Sequence, residues 1–229
     1  MLHRSDLEDD IAAYLVDRLP SARIKTVFDV GANIGWFSYQ FLRAYPECNC
    51  YLFEPVTSNF ERIRPNLVGL EGLNANGRIK CFKLGLGLTA ERQKITALPN
   101  VTINQIMAEI PDGTPFEEIE IVTGDAFCKS AEIEAIDFLK IDAEGYDMKV
   151  LLGFSQMLLR GQIDFVQVEA GISRENTLHV PLDAFDAVLS SFGYRKFRFT
   201  NQASHAVPVL TWADVVFINQ NTAQRLASS

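Results

Sequence analysis

Apolar positions along the chain switch between a period near 3.6 and short, nearly continuous β-prone runs, and the switching is regular over most of its length. Ser5 and Asp6 as caps, then Leu7, Ile11, Tyr14, Leu15 and Leu19 at helical spacing, predict an N-terminal helix over 5–19, within a unit 1–20 closed by Pro20. A strand over 26–30, a helix over 35–44, a strand over 49–53, a helix over 56–68 and a strand over 79–84 follow. Alternating strands and helices predict an α/β fold with a mostly parallel, doubly wound sheet.

The alternation lapses between about 86 and 124. Leu86-Gly87-Leu88, Pro99-Asn100, Pro111-Asp112-Gly113 and Pro115 punctuate short pieces such as Lys94-Ile95-Thr96 and Glu120-Ile121-Val122-Thr123. The expectation is an inserted irregular or hairpin region, serving as a substrate loop or as decoration. Order resumes with strand 136–141, helix 146–158, strand 163–168 and helix 181–192, ended by Gly193. Two last strands, 195–199 and 213–218, lack a helix between them and imply an antiparallel edge hairpin at the C-terminal end, before a frayed tail of ten residues.

A chain of 229 residues with 48% hydrophobic content can fill one large core, so a single domain over 1–229 is expected. The net charge of −8 argues against nucleic acid or an anionic membrane surface as the main partner. Arg195, Lys196 and Arg198 form a basic cluster, read as charge protecting an edge strand. Cys48, Cys50, Cys81 and Cys128 make no metal-binding pattern with the three histidines and are expected as reduced, mostly buried thiols. With a polar N-terminus and no apolar run of membrane-spanning length, the expected location is the cytoplasm, with no membrane insertion. His179 and His205, in late loops, read as surface residues.

The candidate chemistry begins at Val27-Phe28-Asp29-Val30-Gly31-Ala32-Asn33-Ile34-Gly35-Trp36, a strand running into a glycine-spaced turn ahead of a helix. A dinucleotide turn needs a glycine where this chain has Asn33, because the pyrophosphate rests on bare backbone there. Asp29 would repel a pyrophosphate and attract a cation. S-adenosylmethionine, with an ammonium, a sulfonium and no phosphate, suits the turn formed by Asp29, Gly31, Ala32, Asn33 and Gly35. Ligands of open α/β sheets sit beyond the carboxyl ends of the strands, where Asp29, Glu54, Asp142 and Glu169 each close a strand. Glu54 would accept both ribose hydroxyls, its approach stiffened by Pro55. Asp125 would bind the adenine amino group or cap the next short helix.

Lys140-Ile141-Asp142-Ala143-Glu144-Gly145-Tyr146 is the second cluster. Alternation along the strand puts Lys140 and Asp142 on one side of the sheet. Methyl transfer to an alcohol needs a base at the hydroxyl or a bound cation that lowers its pKa. Asp142, Glu144 and Glu169 could serve as the base or as ligands of a divalent cation; the bland alternative is that Asp142 and Glu144 only complement the helix dipole.

The glycine turn, Phe53-Glu54-Pro55 with Asn59-Phe60, Asp137-Phe138-Leu139-Lys140-Ile141-Asp142-Ala143-Glu144-Gly145 and Val168-Glu169 together resemble the FkbM-type family of S-adenosylmethionine-dependent methyltransferases. The resemblance implies a seven-stranded class I (Rossmann-like) methyltransferase fold and methyl transfer, usually to a hydroxyl oxygen of a sugar, glycan or natural product. It implies that Asp29, Gly31, Asn33, Gly35 and Glu54 hold the cofactor while Asp142, Glu144 and Glu169 face the acceptor. A small-molecule or glycan acceptor is the expected partner, and a homo-oligomer stays open. Three alternatives compete: a nicotinamide oxidoreductase, opposed by the missing glycine and the lack of a Tyr-x-x-x-Lys pair; an N-methyltransferase, whose Asn/Asp-Pro-Pro-aromatic motif is absent; and a cofactor-binding module without turnover.

Overall fold

A computed structural model describes residues 10–67, 77–98, 104–204 and 209–228. Ser5, Asp6, Leu7, Val68, Pro99, Asn100 and His205 lie outside those stretches.

The central sheet takes its order from where the chain reverses. β1 (Thr26–Val30), β2 (Asn49–Phe53) and β3 (Ile79–Phe82) step outward in parallel, linked by α2 (Trp36–Ala44) and α3 (Thr57–Leu67). A small sheet intervenes, built from β4 (Gly85–Leu86), β5 (Glu91–Thr96) and β6 (Phe116–Val122). After α4 (Gly124–Ser130) the chain returns to the other side of β1 as β7 (Ile136–Ile141), then β8 (Ile163–Gly171). β9 (Tyr194–Ser204) and β10 (Leu210–Asn219) complete the order β3-β2-β1-β7-β8-β10-β9. This is the seven-stranded, mostly parallel, Rossmann-like sheet with an antiparallel C-terminal hairpin. The last strand inserts next to β8, which leaves β9, with Arg195, Lys196 and Arg198, at the edge.

Near-continuous apolar strands such as Val27-Phe28-Asp29-Val30 require cover on both faces. One face packs under α1 (Ile11–Arg18), α2 and α3 through Ile11, Leu15, Phe41, Leu42 and Ile63. The other packs against α5 (Asp147–Leu152), α6 (Ser155–Leu159), α7 (Leu182–Ser191) and the small sheet through Val150, Leu158, Phe185, Leu86 and Ile119. Reversal between β1 and β7 opens a crevice at their carboxyl ends, where ligands of such sheets bind.

Local details depart from the expectations. The predicted helix 146–158 is two short helices broken at Gly153, and the tail is α8 (Gln220–Ala227), capped by Asn219 and tied to the sheet by Arg225 pairing with Asp164 at 2.7 Å. Asp10 caps α1 by accepting the Ala13 N–H. In the described part of 86–124, β5 and β6 pair antiparallel, and the segment around Ile106 bridges back onto β5 at Ile95. Among the described residues no helix is long and apolar enough to cross a membrane.

Candidate active site

Strand register fixes the deepest charges of the site. Asp29 on β1 pairs in register with Lys140 on β7, one residue before both strands end. The Lys140 ammonium lies 3.3 Å from Asp29 Oδ1, 3.2 Å from Asp142 Oδ2 and 2.8 Å from the Gly31 carbonyl oxygen, to which it donates. Burial works against its charge, but Asp142 and Asp29 outweigh that and hold its pKa above the ordinary lysine value. Asp29 Oδ2 accepts the Ser38 hydroxyl of α2 at 2.7 Å.

Gly31 is required by a close approach. Its φ is +71°, and a Cβ there would lie 1.8 Å from the Asp142 carbonyl oxygen. The β7 loop thus presses directly on the turn after β1, with the Asp142 N–H donating to the Val30 carbonyl at 3.1 Å.

Glu54 ties that turn to the next strand. Its Oε2 accepts the Asn33 N–H and its Oε1 the Val56 N–H, each at 2.9 Å. Burial pushes its pKa up to about 7, against the lowering effect of those two bonds. The β7–α5 loop is closed by Asp147, which accepts the Ala143 and Gly145 N–H groups at 2.8 and 2.9 Å. Glu144 and Gly145 both take positive φ, 51° and 90°. Glu144 is thereby turned into the crevice, where burial and then Asp142 raise its pKa to about 7.

These elements enclose an open cleft of about 620 Å³, counted with its solvent-facing mouth. Gly31, Asn33, Glu54, Pro55, Asp142 and Glu144 line it, and Val56, Leu86, Ile95, Asn104, Ile106 and Ile119 form its apolar end. Among the described residues that line it there is no lysine, arginine or histidine.

Residues 29–196 match the methyltransferase FkbM domain. The chain belongs to the FkbM methyltransferase family. It is 26% identical over 172 residues to methyltransferase sdnD of Sordaria araneosa, covering 62% of this chain and 64% of that protein. It is 25% identical over 166 residues to the hexuronic acid methyltransferase AglP of Haloferax volcanii, covering 72% and 64%. The chain therefore spans just under two thirds of the length of these relatives. The crystal structure of methyltransferase FkbM from Methylobacillus flagellatus superposes with a TM-score of 0.56 at 18% identity, covering 85% of this chain and 43% of that one. Magnesium protoporphyrin IX methyltransferase from Synechocystis, solved with bound S-adenosylmethionine, superposes at 0.54 with 10% identity, covering 94% and 79%. At such identities the likeness concerns the fold.

Within this FkbM-family chain, the residues singled out by sequence take different places. Gly31, Asn33, Glu54, Pro55, Asp142 and Glu144 meet in the cleft. Asp29 and Lys140 lie behind it, Asp29 fully buried, and reach it through Asp142 and the Gly31 carbonyl; Ala32 is buried and Gly35 starts α2 with φ +87°. Asp125 is not among the cleft-lining residues: it lies in the first turn of α4, which Thr123 caps, and its carboxylate accepts the Gln156 and Met157 N–H groups at the start of α6 rather than capping the helix that follows β6.

Glu169 stands apart from the cleft lining, held 3.0 Å from His179 Nε2. Burial, then Asp142 and its cross-strand neighbour Asp214, push its pKa to about 9. His179 is not the surface residue expected, because the loop after β8 folds back so that the Gly171 N–H donates to the Val180 carbonyl at 2.9 Å. Among the described residues no three His, Cys, Asp or Glu side chains form a metal-holding group, so Asp142, Glu144 and Glu169 do not constitute the ligand set considered for a divalent cation. Sequence reasoning missed Asp147, Asp214 and Asn104. An acid in the first turn of α5 and one among the apolar residues of β10 were visible signals for the first two; nothing marked Asn104.

Proposed function

We propose that this chain is an S-adenosylmethionine-dependent O-methyltransferase acting on a hydroxyl of a sugar, glycan or natural-product acceptor. The carrying observation is a cleft at the β1/β7 switch point lined, among the described residues, by three carboxylates, Glu54, Asp142 and Glu144, and by no basic side chain. That donor set fits a ligand with an ammonium, a sulfonium and two ribose hydroxyls, and disfavours the pyrophosphate of a nicotinamide dinucleotide. S-adenosylmethionine, when bound, supplies an electrophilic methyl group on sulfur.

The chain's own residues do the rest. Each Glu54 oxygen already holds one backbone N–H and keeps a second lone pair for a ribose hydroxyl. Lys140 fixes the Gly31 carbonyl and one oxygen of Asp142, leaving Asp142 Oδ1 to accept the acceptor's hydroxyl proton. Glu144, ionised above about pH 7, complements a positive ligand. Glu169, raised to about 9 by burial and its acidic neighbours and held by His179 outside the cleft lining, is assigned to the acceptor rather than the cofactor in this reading. AglP, named for a hexuronic acid, supports a sugar-derived acceptor, and the absence of an Asn/Asp-Pro-Pro-aromatic segment after β7 supports oxygen.

Methyl-labelled S-adenosylmethionine offered with a panel of glycans and hydroxylated natural products tests the reading. Transfer to a hydroxyl that falls roughly 100-fold or more in Asp142→Asn, with EDTA harmless, is expected. Undiminished turnover in Asp142→Asn at saturating cofactor overturns the proposed chemistry, and cofactor binding without turnover on any acceptor favours a binding module.

A further inference from the structure

Asn104 presents an unused hydrogen-bond donor at the apolar end of the cleft. The residue is 6% exposed, and its Oδ1 accepts the Leu98 N–H at 2.9 Å. Only an oxygen can accept that N–H, so the contact fixes which amide atom is which and leaves Nδ2 as the other. Nδ2 is buried and has no partner among the described residues. Buried donors left unpaired are rare in native folds and mark places where something else completes the bond.

The segment bearing Asn104 is firmly built. The Thr96 N–H donates to the Gln105 carbonyl at 3.0 Å, the Gln105 N–H returns to Thr96 Oγ1 at 2.9 Å, and Gln105 Nε2 reaches the Glu144 carbonyl at 3.3 Å. The lining that Asn104 shares includes Leu86, Ile95 and Ile119 of the small sheet, Ile106 of the bridging segment, and Val56 and Asn59. A buried donor bordered by apolar side chains suits a flat heterocycle with lone-pair nitrogens on its edge. A sugar there would bury several hydroxyls against mostly apolar walls.

We propose that Asn104 Nδ2 donates to a ring nitrogen of the cofactor's purine base, making the inserted small sheet the wall that recognises the base. The proposal rests on the S-adenosylmethionine reading above. It gives the region 86–124 a role in cofactor selection.

The test titrates the protein with S-adenosylhomocysteine and its 1-deaza, 3-deaza and 7-deaza analogues, in wild type and in Asn104→Asp. Aspartate keeps an oxygen for the Leu98 N–H while removing the donor; Asn104→Ser is the second variant, and melting temperatures accompany both. In wild type one analogue should bind roughly three- to tenfold more weakly than the parent. In Asn104→Asp the parent should weaken by at least as much and the analogue's penalty should vanish or reverse. No penalty in the wild-type series, a penalty that survives both variants, or an effect confined to the acceptor's KM overturns the Asn104 assignment. Failure of the wild type to bind S-adenosylhomocysteine overturns the cofactor reading itself.

Discussion

Lys140→Met is the perturbation whose consequence follows most directly from the geometry. Methionine keeps most of the alkyl stem and removes an ammonium that is 3.3 Å from Asp29 Oδ1 and 3.2 Å from Asp142 Oδ2. The two carboxylates respond differently. Asp142, with 38% of its side chain exposed, recovers water. Asp29 is fully buried, and among the described residues its Oδ1 has no hydrogen-bond partner and relies on the lysine's charge, while Oδ2 accepts the Ser38 hydroxyl. Breaking a buried pair by removing one partner costs about 3–5 kcal/mol, a large share of the roughly 5–15 kcal/mol available to a domain. For a chain of this size that is a melting-temperature drop of roughly 6–20 °C. Urea denaturation of Lys140→Met, Asp29→Asn and the double variant measures the coupling, which should reach about 2 kcal/mol or more, with Asp29→Asn rescuing much of the loss. Additive effects within about 0.5 kcal/mol would refute the assignment of Lys140 as the counter-charge that holds Asp29 and positions Asp142.

Other consequences are checkable with the same purified protein. Glu54 and Glu144 are raised to about 7, Asp214 to about 6 and Glu169 to about 9, chiefly by burial. The native state therefore holds more protons than the unfolded chain between about pH 4 and pH 9, so stability should fall as pH rises through that window. Melting curves of wild type and Glu54→Gln should show the fall and a shallower one; a rise with pH contradicts it. Gly31→Ala should fail to fold or lose more than about 4 kcal/mol, because its Cβ would strike the Asp142 carbonyl oxygen at 1.8 Å. Gly35→Ala, whose Cβ meets only side chains at 3.4–3.7 Å, should lose about 1–2 kcal/mol from its left-handed backbone, and equal melting temperatures for the two variants would contradict the contrast.

The parallel sheet was legible because its strands are apolar on both faces and punctuated by turn residues, and of the four acids closing strands, Glu54 and Asp142 line the cleft whereas Asp29 and Glu169 do not. What sequence could not give was the side each acid serves. Asp29 looked like a ligand-facing residue, yet the β1–β7 register turns it toward Lys140 and α2, while Glu54, just past the end of β2, bends back to clasp the turn. Gly31 looked like bare backbone for a ligand and proves to make room for the neighbouring loop. Glu169 and His179 are ten residues apart, joined only by a return of the chain that no local pattern announces. The small sheet was obscured because β4 is two residues long and β5 and β6 are separated by turns and a bridging segment. The helical tail, by contrast, carried a readable cap at Asn219, whose side chain accepts the Asn221 N–H.

The central claim is that the acidic cleft between β1, β2 and β7 is an S-adenosylmethionine site anchored on Glu54. Calorimetric titration of S-adenosylmethionine into wild type and Glu54→Ala, with melting temperatures as a fold control, tests it most directly. Wild type should show saturable 1:1 binding and the variant a loss of roughly 10- to 100-fold, the scale of hydrogen bonds to a charged group. Absence of binding, or equal affinity in both proteins, would contradict it.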